Sequence, residues 1–138
     1  MKSVRRATPM TDQALTSTFA EARYVSLATF RRNGREVRTP VWFCALDDAL
    51  YCFSAGDAGK VKRVRANGRG RIARCSMNGT IEDEWHEVKT SLVTDASLVE
   101  AVYLGLRVVY GWQMYATDFL SKLSGRYKKR VVIKIEAI

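Results

Sequence analysis

The chain has 138 residues and a mass of 15.6 kDa, which suits a single domain. Hydrophobic residues make up 47% and charged residues 27%, a balance that excludes an intrinsically disordered chain. No apolar run reaches the roughly 18 residues of a membrane-spanning helix, and the first twenty residues contain no apolar core of a secretory signal. We therefore expect a soluble, cytoplasmic protein.

Positive charge is in excess. Lys and Arg number 23 against 14 Asp and Glu, for a formal net charge of +9 and a pI of about 9.8. Such a surface attracts anions, which include nucleic acid, anionic lipid and phosphorylated small ligands. The three cysteines show no Cys-x-x-Cys spacing, so we predict structural cysteines and no metal site.

The first third of the chain predicts a short helix followed by a β-hairpin. Residues 1–23 begin without a clear pattern and then show a modest helical one. Tyr24–Phe30 alternates and is rich in β-forming residues, which predicts a strand. The Asn33-Gly34 pair is a strong hairpin signal, because both positions favour positive φ. A second strand is then expected over Glu36–Leu46.

Four further strands are predicted after this hairpin. They cover Ala49–Ser54, Arg71–Met77, Trp85–Val93 and Arg130–Ile135. A basic helix lies between the third and fourth strands and should stop at Asn67-Gly68. A Ser-x-x-Glu pattern at Ser97 and Glu100 predicts the start of a helix that runs to about Tyr110. Six strands with these helices indicate a mainly β, α+β domain or small barrel.

Pro40 falls in the middle of the second predicted strand. Proline has no backbone N–H to donate to a sheet, so this strand must lie at an edge or be bulged there. The proline is then either simply tolerated at the edge, or it opens the strand so that the backbone faces a ligand. The local sequence favours the first interpretation.

The junction after the third strand carries small residues beside a lysine, in the order Gly56-Asp-Ala-Gly59-Lys60. It departs from a P-loop because Ser54 replaces the first glycine and Val61 replaces the hydroxyl residue. Small residues before a helix still expose its first amide groups, and a lysine beside them adds positive charge. The junction is thus either an anion site or part of a solvated basic helix face.

A second group of residues suggests nucleic acid. Seven arginines fall in or near the first hairpin and the fourth strand, and aromatic residues are interleaved with them. The two sets are Arg31, Arg32, Arg35, Arg38, Arg69, Arg71 and Arg74, and Tyr24, Phe30, Trp42 and Tyr51. A basic and aromatic face of this kind can bind single strands. His86, the single histidine, cannot form a metal site alone, and we expect it to face solvent.

Two stretches read together resemble one family. Tyr24–Phe43 resembles the opening hairpin of the pyridoxamine-phosphate-oxidase-like split β-barrel flavoproteins, and Ser54–Arg65 resembles their phosphate-binding strand–helix junction. The chain is most similar to the branch that uses the deazaflavin coenzyme F420, and Val109–Gln113 is similar to a late motif of that branch. The resemblance covers roughly residues 24–136.

The resemblance implies a six-stranded split β-barrel over 24–138, preceded by an N-terminal segment and short helix over 1–23. It implies a homodimer with a cofactor, F420 or alternatively FMN, at each subunit junction. Ring contacts map to Thr39, Pro40, Val41 and Trp42, and the floor of the site to Thr29. Lys60 maps to the phosphate lysine, with Ser54 and Arg63 nearby. Trp85 and the segment around Trp112 are candidates for contacts from the second subunit.

Ala58 departs from the family, which commonly has a hydroxyl residue there, so one phosphate donor is lost. That loss is worth about 1 kcal/mol of net hydrogen bonding. Charge alone makes Arg31 and Arg38 candidates to contact the polyglutamate tail of F420.

The resemblance implies an oxidoreductase that transfers hydride between its cofactor and an unknown small molecule. No side chain is then required as a general base. Two alternatives stay open, a flavin- or deazaflavin-binding protein without turnover and a basic barrel that binds nucleic acid.

Overall fold

A computed structural model of the chain describes residues 11–56, 58–114, 116 and 130–138. The first ten residues of the predicted N-terminal segment lie outside this part. The described helices are α1 (Asp12–Thr18), α2 (Gly59–Asn67) and α3 (Ala96–Tyr110). The described strands are β1 (Tyr24–Phe30), β2 (Glu36–Val41), β3 (Cys44–Leu46), β4 (Ala49–Ala55), β5 (Arg69–Cys75), β6 (His86–Val93) and β7 (Arg130–Ala137). None of the described helices is long and apolar enough to cross a membrane.

All seven strands form one antiparallel sheet in the order β2-β1-β5-β6-β7-β4-β3. β2 and β3 lie at opposite ends of this order, yet only Trp42 and Phe43 separate them in the chain. Two linking residues span at most about 11 Å between the flanking Cα atoms. The sheet must therefore curl until its two edges almost meet, which produces a half-barrel that is split between β2 and β3.

The strand count corrects the sequence-based prediction of six. The predicted strand over Glu36–Leu46 is divided in two, because β2 pairs with β1 whereas β3 pairs with β4. At the division, the backbone N–H of Phe43 donates to the Tyr110 hydroxyl at 3.0 Å and not to a strand. The edge position predicted for Pro40 is confirmed, since β2 pairs only with β1 and has no second neighbour among the described strands.

Two apolar clusters lie on the two faces of the curled sheet. The interior cluster joins α1 and α2 to the inward side chains of the strands, and includes Leu15, Phe19, Val25, Leu27, Val41, Leu50, Cys52, Val64, Ile72, Ile133 and Ile135. The second cluster lies between α3 and the outer face of β3, β4 and β7. Alternation along β4 separates the two, because Cys52 points inward while Tyr51 and Phe53 point toward α3.

The observed ends of two helices can be compared with the ends that the local sequence predicts. Gly68 ends α2 at φ 70°, as the Asn67-Gly68 pair predicts. The predicted start of α3 is wrong, because the N-cap is Asp95 and not Ser97. The Asp95 carboxylate accepts from the amides of Ser97 and Leu98 at 2.9 and 3.4 Å. An aspartate two residues earlier therefore replaces the capping box.

We predict that Gly68→Ala lowers the free energy of unfolding more than Gly34→Ala does. Both glycines have positive φ, which costs an alanine about 1–2 kcal/mol. A Cβ on Gly68 would also lie 2.9 Å from the Thr90 carbonyl oxygen, whereas one on Gly34 would meet nothing within 4 Å. Urea denaturation of both variants measures the difference. Equal losses would contradict the close approach of Gly68 to β6.

Candidate functional site

A cleft of about 300 Å³ opens at the split in the half-barrel. Its lining residues are Tyr24, Pro40, Val41, Trp42, Phe53, Lys60 and Met77. Four of these, Pro40, Val41, Trp42 and Lys60, are among the site residues that the sequence analysis names. The structure thus brings the proline-bearing strand and the lysine of the strand–helix junction into one concavity.

Two aromatic side chains form walls of this cleft, and each is backed by a tyrosine of α3. The Trp42 ring stacks on Tyr110, with ring centroids 4.5 Å apart and an interplanar angle of 9°. The Phe53 ring lies 5.6 Å from Tyr103 at an angle of 51°. Offset stacking and tilted contacts of this kind hold aromatic rings in defined orientations. The cleft is therefore suited to a flat, apolar ring.

The cleft edge formed by β2 offers polar groups as well. Pro40 is exposed on this edge strand. The Thr39 hydroxyl oxygen is buried and has no hydrogen-bond partner among the described residues. Thr39 pairs with Leu27, which belongs to the interior cluster, so it lies on the interior side of the sheet. Thr39 precedes the lining residue Pro40 but is not itself among the residues that line the cleft, so its role toward a ligand stays a prediction.

Lys60 lies in the first turn of α2, at the end of the cleft. The N-cap residue is Ala58, whose side chain makes no capping hydrogen bond to the first amide groups of the helix. Burial lowers the pKa of Lys60, and the positive charge of Arg63 lowers it further. A partly buried ammonium group beside a helix N-terminus attracts anions.

Arg63 is held over the same helix start. Its Nε donates to the Thr29 hydroxyl at 2.6 Å. Its Nη1 lies 2.7 Å from the point where a Cβ on Gly59 would stand, so the guanidinium packs against the backbone of the first turn. Burial lowers the pKa of Arg63, and the charge of Arg31 lowers it further.

Lys60, Arg63 and Arg31 together form a cationic corner. Among the residues that the structure describes, no carboxylate forms an ion pair with any of the three. The charge of Arg63 lowers the pKa of Lys60, and the charge of Arg31 lowers that of Arg63, so the three cations produce a local positive potential. Of the three, Lys60 lines the aromatic cleft.

Ser54, the remaining site residue of the sequence analysis, is buried on β4. Its hydroxyl donates to the carbonyl of Ala55 at 3.3 Å, and it shares the inward face of β4 with Cys52. It is not among the residues that line the cleft. Its role toward a ligand stays a prediction.

Three lining residues were not assigned to a cofactor site by the sequence analysis, namely Tyr24, Phe53 and Met77. Tyr24 and Phe53 come from strands whose patterns were recognised. Phe53 precedes Ser54, so strand alternation could have shown that it lies on the face opposite to Ser54. Met77 follows β5 in the turn toward β6, and nothing in its local sequence signals a cleft.

The basic and aromatic residues considered for nucleic acid do not form one platform. Arg38 and Arg71 both pair with Glu36, and their guanidinium carbons lie 4.7 and 4.8 Å from the Trp85 ring. Burial raises the pKa of Glu36, but hydrogen bonds from the two arginines outweigh it and lower that pKa. Much of this charge is thus neutralised within the sheet face.

The aromatic residues of that hypothesis are also dispersed. Tyr51 is buried against α3, Phe30 is covered by Arg69 at 4.4 Å, and Trp42 and Tyr24 line the cleft. Stacking of successive bases needs exposed rings along one groove. The described surface does not provide that arrangement.

The single histidine and the cysteines lie away from the cleft lining. His86 is half-buried, and its ring meets Phe19 edge-on at 5.6 Å, so the expectation that it faces solvent is wrong. The three cysteines are buried free thiols, as predicted. No group of three or more potential metal ligands occurs among the described residues.

Comparison with known proteins yields structural neighbours only. No family model matches the chain, and no curated protein is similar to it in sequence. The solved structures of 37 chains do match.

Three of these structural neighbours illustrate how widely the names of the matching proteins differ. HutZ, the heme storage protein of Vibrio cholerae, superposes with a TM-score of 0.66 at 18% identity and covers 94% of this chain and 92% of its own. A Listeria innocua protein assigned as a pyridoxamine 5'-phosphate oxidase has a TM-score of 0.61 at 16% identity, with coverage of 91% and 92%. An F420 reductase has a TM-score of 0.58 at 17% identity, with coverage of 89% and 92%.

The curled antiparallel sheet, its split and these neighbours agree on one architecture. The fold is the pyridoxamine-phosphate-oxidase-like split β-barrel. The resemblance that Tyr24–Phe43 and Ser54–Arg65 carry is thus confirmed at the level of fold. At these identities the split barrel itself is shared, while the ligand and reaction are not determined by it.

We predict that Lys60→Met stabilises the fold at neutral pH. The folded chain holds this ammonium at a lowered pKa, so the charged form is disfavoured by folding. That cost is fully present below the lowered pKa and disappears as pH rises through the ordinary value of 10.5. The gain in free energy of unfolding should therefore be largest near pH 7 and smaller above pH 10.5.

Urea denaturation across this pH range measures the effect, with Lys62→Met as the control. Lys62 is exposed on the same helix, so its replacement removes the same charge without relieving burial. A gain for Lys62→Met equal to that for Lys60→Met would refute the assignment to burial.

Proposed function

We propose that the cleft binds a flavin-type cofactor and that the protein is an oxidoreductase, transferring hydride between that cofactor and a small molecule. The observation that carries the proposal is that Lys60 lines the aromatic cleft and has two further cations nearby, Arg63, which lowers the pKa of Lys60, and Arg31, which lowers that of Arg63. A flavin or deazaflavin has the matching form, a flat tricyclic ring on a ribityl phosphate chain. When bound, it supplies the hydride chemistry.

The residues present fit such a group. Trp42 and Phe53 provide apolar surface for the ring, and Pro40 adds the exposed edge of β2. Lys60 and Arg63 would hold the phosphate at the start of α2. Thr29 contributes indirectly, because it accepts from Arg63 and fixes its guanidinium. Val41 completes the wall between ring and interior.

The arrangement of cations favours F420 over FMN. Arg31 is close enough to lower the pKa of Arg63, so positive charge continues beyond the first phosphate site. The polyglutamate tail of F420 would benefit from that extension, whereas FMN ends at its phosphate. Arg38 supports a tail less well, because it is engaged by Glu36 and Trp85. The existence of an F420 reductase with the same fold is consistent with this choice.

Heme is less well supported, although the neighbour HutZ stores it. The chain has one histidine, and His86 packs on Phe19 and does not line the cleft. An axial histidine from this chain is therefore not available at the cleft.

We also propose that the protein is a homodimer. Leu104, Val108 and Trp112 are exposed along one side of α3 and the turn after it, at 56%, 85% and 76%. Exposed apolar side chains at a spacing of four residues are typical of a helix face that packs on another chain. Trp112 is then a candidate for contact with the partner. Trp85 is a weaker candidate, because Arg38 and Arg71 already cover its ring.

We predict that the protein binds F420 more tightly than FMN, and that Lys60→Ala weakens both. Loss of a charge-assisted hydrogen bond costs about 1.5–3 kcal/mol, so the dissociation constants should rise about tenfold to a hundredfold. Equilibrium titrations into cofactor-stripped protein, followed by fluorescence, measure this. Lys62→Ala is the matched control and should leave both constants unchanged, since Lys62 is exposed and does not line the cleft.

The same titrations separate the alternatives. Binding of F420 without oxidation of the reduced coenzyme by any substrate in a screen would indicate a binding protein without turnover. Binding of oligonucleotide with a steep salt dependence, and of neither coenzyme, would favour the nucleic-acid alternative. An affinity that Lys60→Ala leaves unaltered would contradict the phosphate assignment.

A further inference from the structure

Helix α3 contributes two tyrosines to the outer side of the cleft walls. Tyr103 and Tyr110 are seven residues apart, which is close to two helical turns, so both lie on the same face of α3. Tyr103 backs Phe53 and Tyr110 backs Trp42. The helix thus reaches both aromatic walls without lining the cleft itself.

Tyr110 makes the more extensive set of contacts. The Phe43 amide donates to its hydroxyl at 3.0 Å, and the hydroxyl lies 2.9 Å from the carbonyl oxygen of Arg23. The carbonyl of Phe43 is farther away, at 3.2 Å, so the single hydroxyl proton is best placed for Arg23. The hydroxyl therefore joins the residue after Trp42 to the residue before β1.

Burial keeps this hydroxyl in its neutral, donating form. Tyr110 is 3% exposed, and burial raises its pKa to about 12. Below that pH the group can donate and accept at the same time. Its ring is simultaneously fixed from two sides, by the stacked indole of Trp42 and by the guanidinium of Arg23, whose carbon lies 5.5 Å from the ring centroid.

The backbone at Trp42 and Phe43 lacks the constraint that a strand would supply. These two residues lie between β2 and β3 and belong to neither. The ring and hydroxyl of Tyr110 hold the Trp42 ring and the Phe43 amide at that point. A side chain 67 residues away in the chain thus takes over the role of a neighbouring strand.

We propose that Tyr110 is a positioning residue of the cleft, which fixes the Trp42 indole as a wall and thereby sets the affinity for a planar ring. The part that concerns ligand affinity rests on the proposed flavin site. The positioning of Trp42 does not, because it can be measured without a ligand.

The test uses Trp42 as its own reporter. The chain has three tryptophans, so Trp85→Phe and Trp112→Phe leave Trp42 as the single tryptophan, which is excited selectively over the six tyrosines at the red edge of its absorption. In this parent, Tyr110→Phe keeps the stacked ring and removes the hydroxyl. We expect lower fluorescence anisotropy and red-shifted emission of Trp42, and binding of the probe FMN about tenfold weaker, as the loss of one hydrogen bond implies.

Tyr51→Phe is the matched control. Tyr51 is buried in the same cluster as Tyr110 and does not line the cleft, so its variant loses one hydroxyl from that cluster without touching the cleft walls. It should leave both the emission of Trp42 and the dissociation constant of FMN unchanged. A change of equal size in Tyr51→Phe would reduce the role of Tyr110 to general packing and overturn the proposal.

A second variant keeps the proposal testable if Tyr110→Phe does not fold. Arg23→Met removes the exposed cation over the Tyr110 ring, together with the 3.4 Å hydrogen bond from Arg23 to Gln113, and should lower the anisotropy of Trp42 and weaken FMN binding about twofold. Unaltered Trp42 anisotropy in the variants that fold overturns the proposal. If neither FMN nor F420 binds the parent while the anisotropy falls, the flavin-type site is wrong and the positioning of Trp42 still holds.

Discussion

The architecture depends on one short crossing of the chain. Between Val41 and Cys44 the backbone passes from one edge of the seven-stranded sheet to the other, with only Trp42 and Phe43 to span the gap. A flat sheet could not satisfy that constraint, so the strands must curl around the interior cluster. The crossing cannot complete the barrel with ladder hydrogen bonds, and Tyr110 supplies the missing partner to Phe43. Closure of the fold and the opening of the cleft therefore have the same cause.

This crossing also brings separate chemical properties into one site. β2 contributes an edge with an exposed proline, β4 contributes Phe53, and the connection that leaves β4 begins the helix that carries Lys60. None of these elements is a binding site alone. Because the sheet curls, the aromatic wall ends where the helix N-terminus begins, and a flat ring with an anionic substituent matches that order. The same fold can accommodate different ligands, because residues such as Pro40, Phe53 and Lys60 can change without disturbing the interior cluster.

Local sequence signals were sufficient to predict most of the strands and helices. They failed where contacts between residues that are distant in the chain determine the structure. Tyr24–Phe30 was predicted with its observed bounds, and Gly68 ends α2 as expected, because alternation and glycine conformation are local properties. The division of Glu36–Leu46 was not predictable from its own pattern, since it depends on a hydroxyl 67 residues away. In the site, Lys60 and Pro40 have distinctive local sequences, whereas Phe53 became a wall only through the packing of β4 on α3.

Under the proposed function, the cationic corner favours binding at the expense of stability. Lys60 and Arg63 are both partly desolvated, and the charges of Arg63 and Arg31 lower the pKa of Lys60 and of Arg63, respectively, so both groups oppose folding. Thr29 nevertheless holds Arg63 over the start of α2 with a 2.6 Å hydrogen bond, so the repulsion is maintained and not relaxed. Unfavourable arrangements of this kind are concentrated at functional sites, where a ligand relieves them. An anion in the corner would remove the repulsion and gain the attraction of preoriented donors, so the instability of the free corner itself increases the affinity for a phosphate.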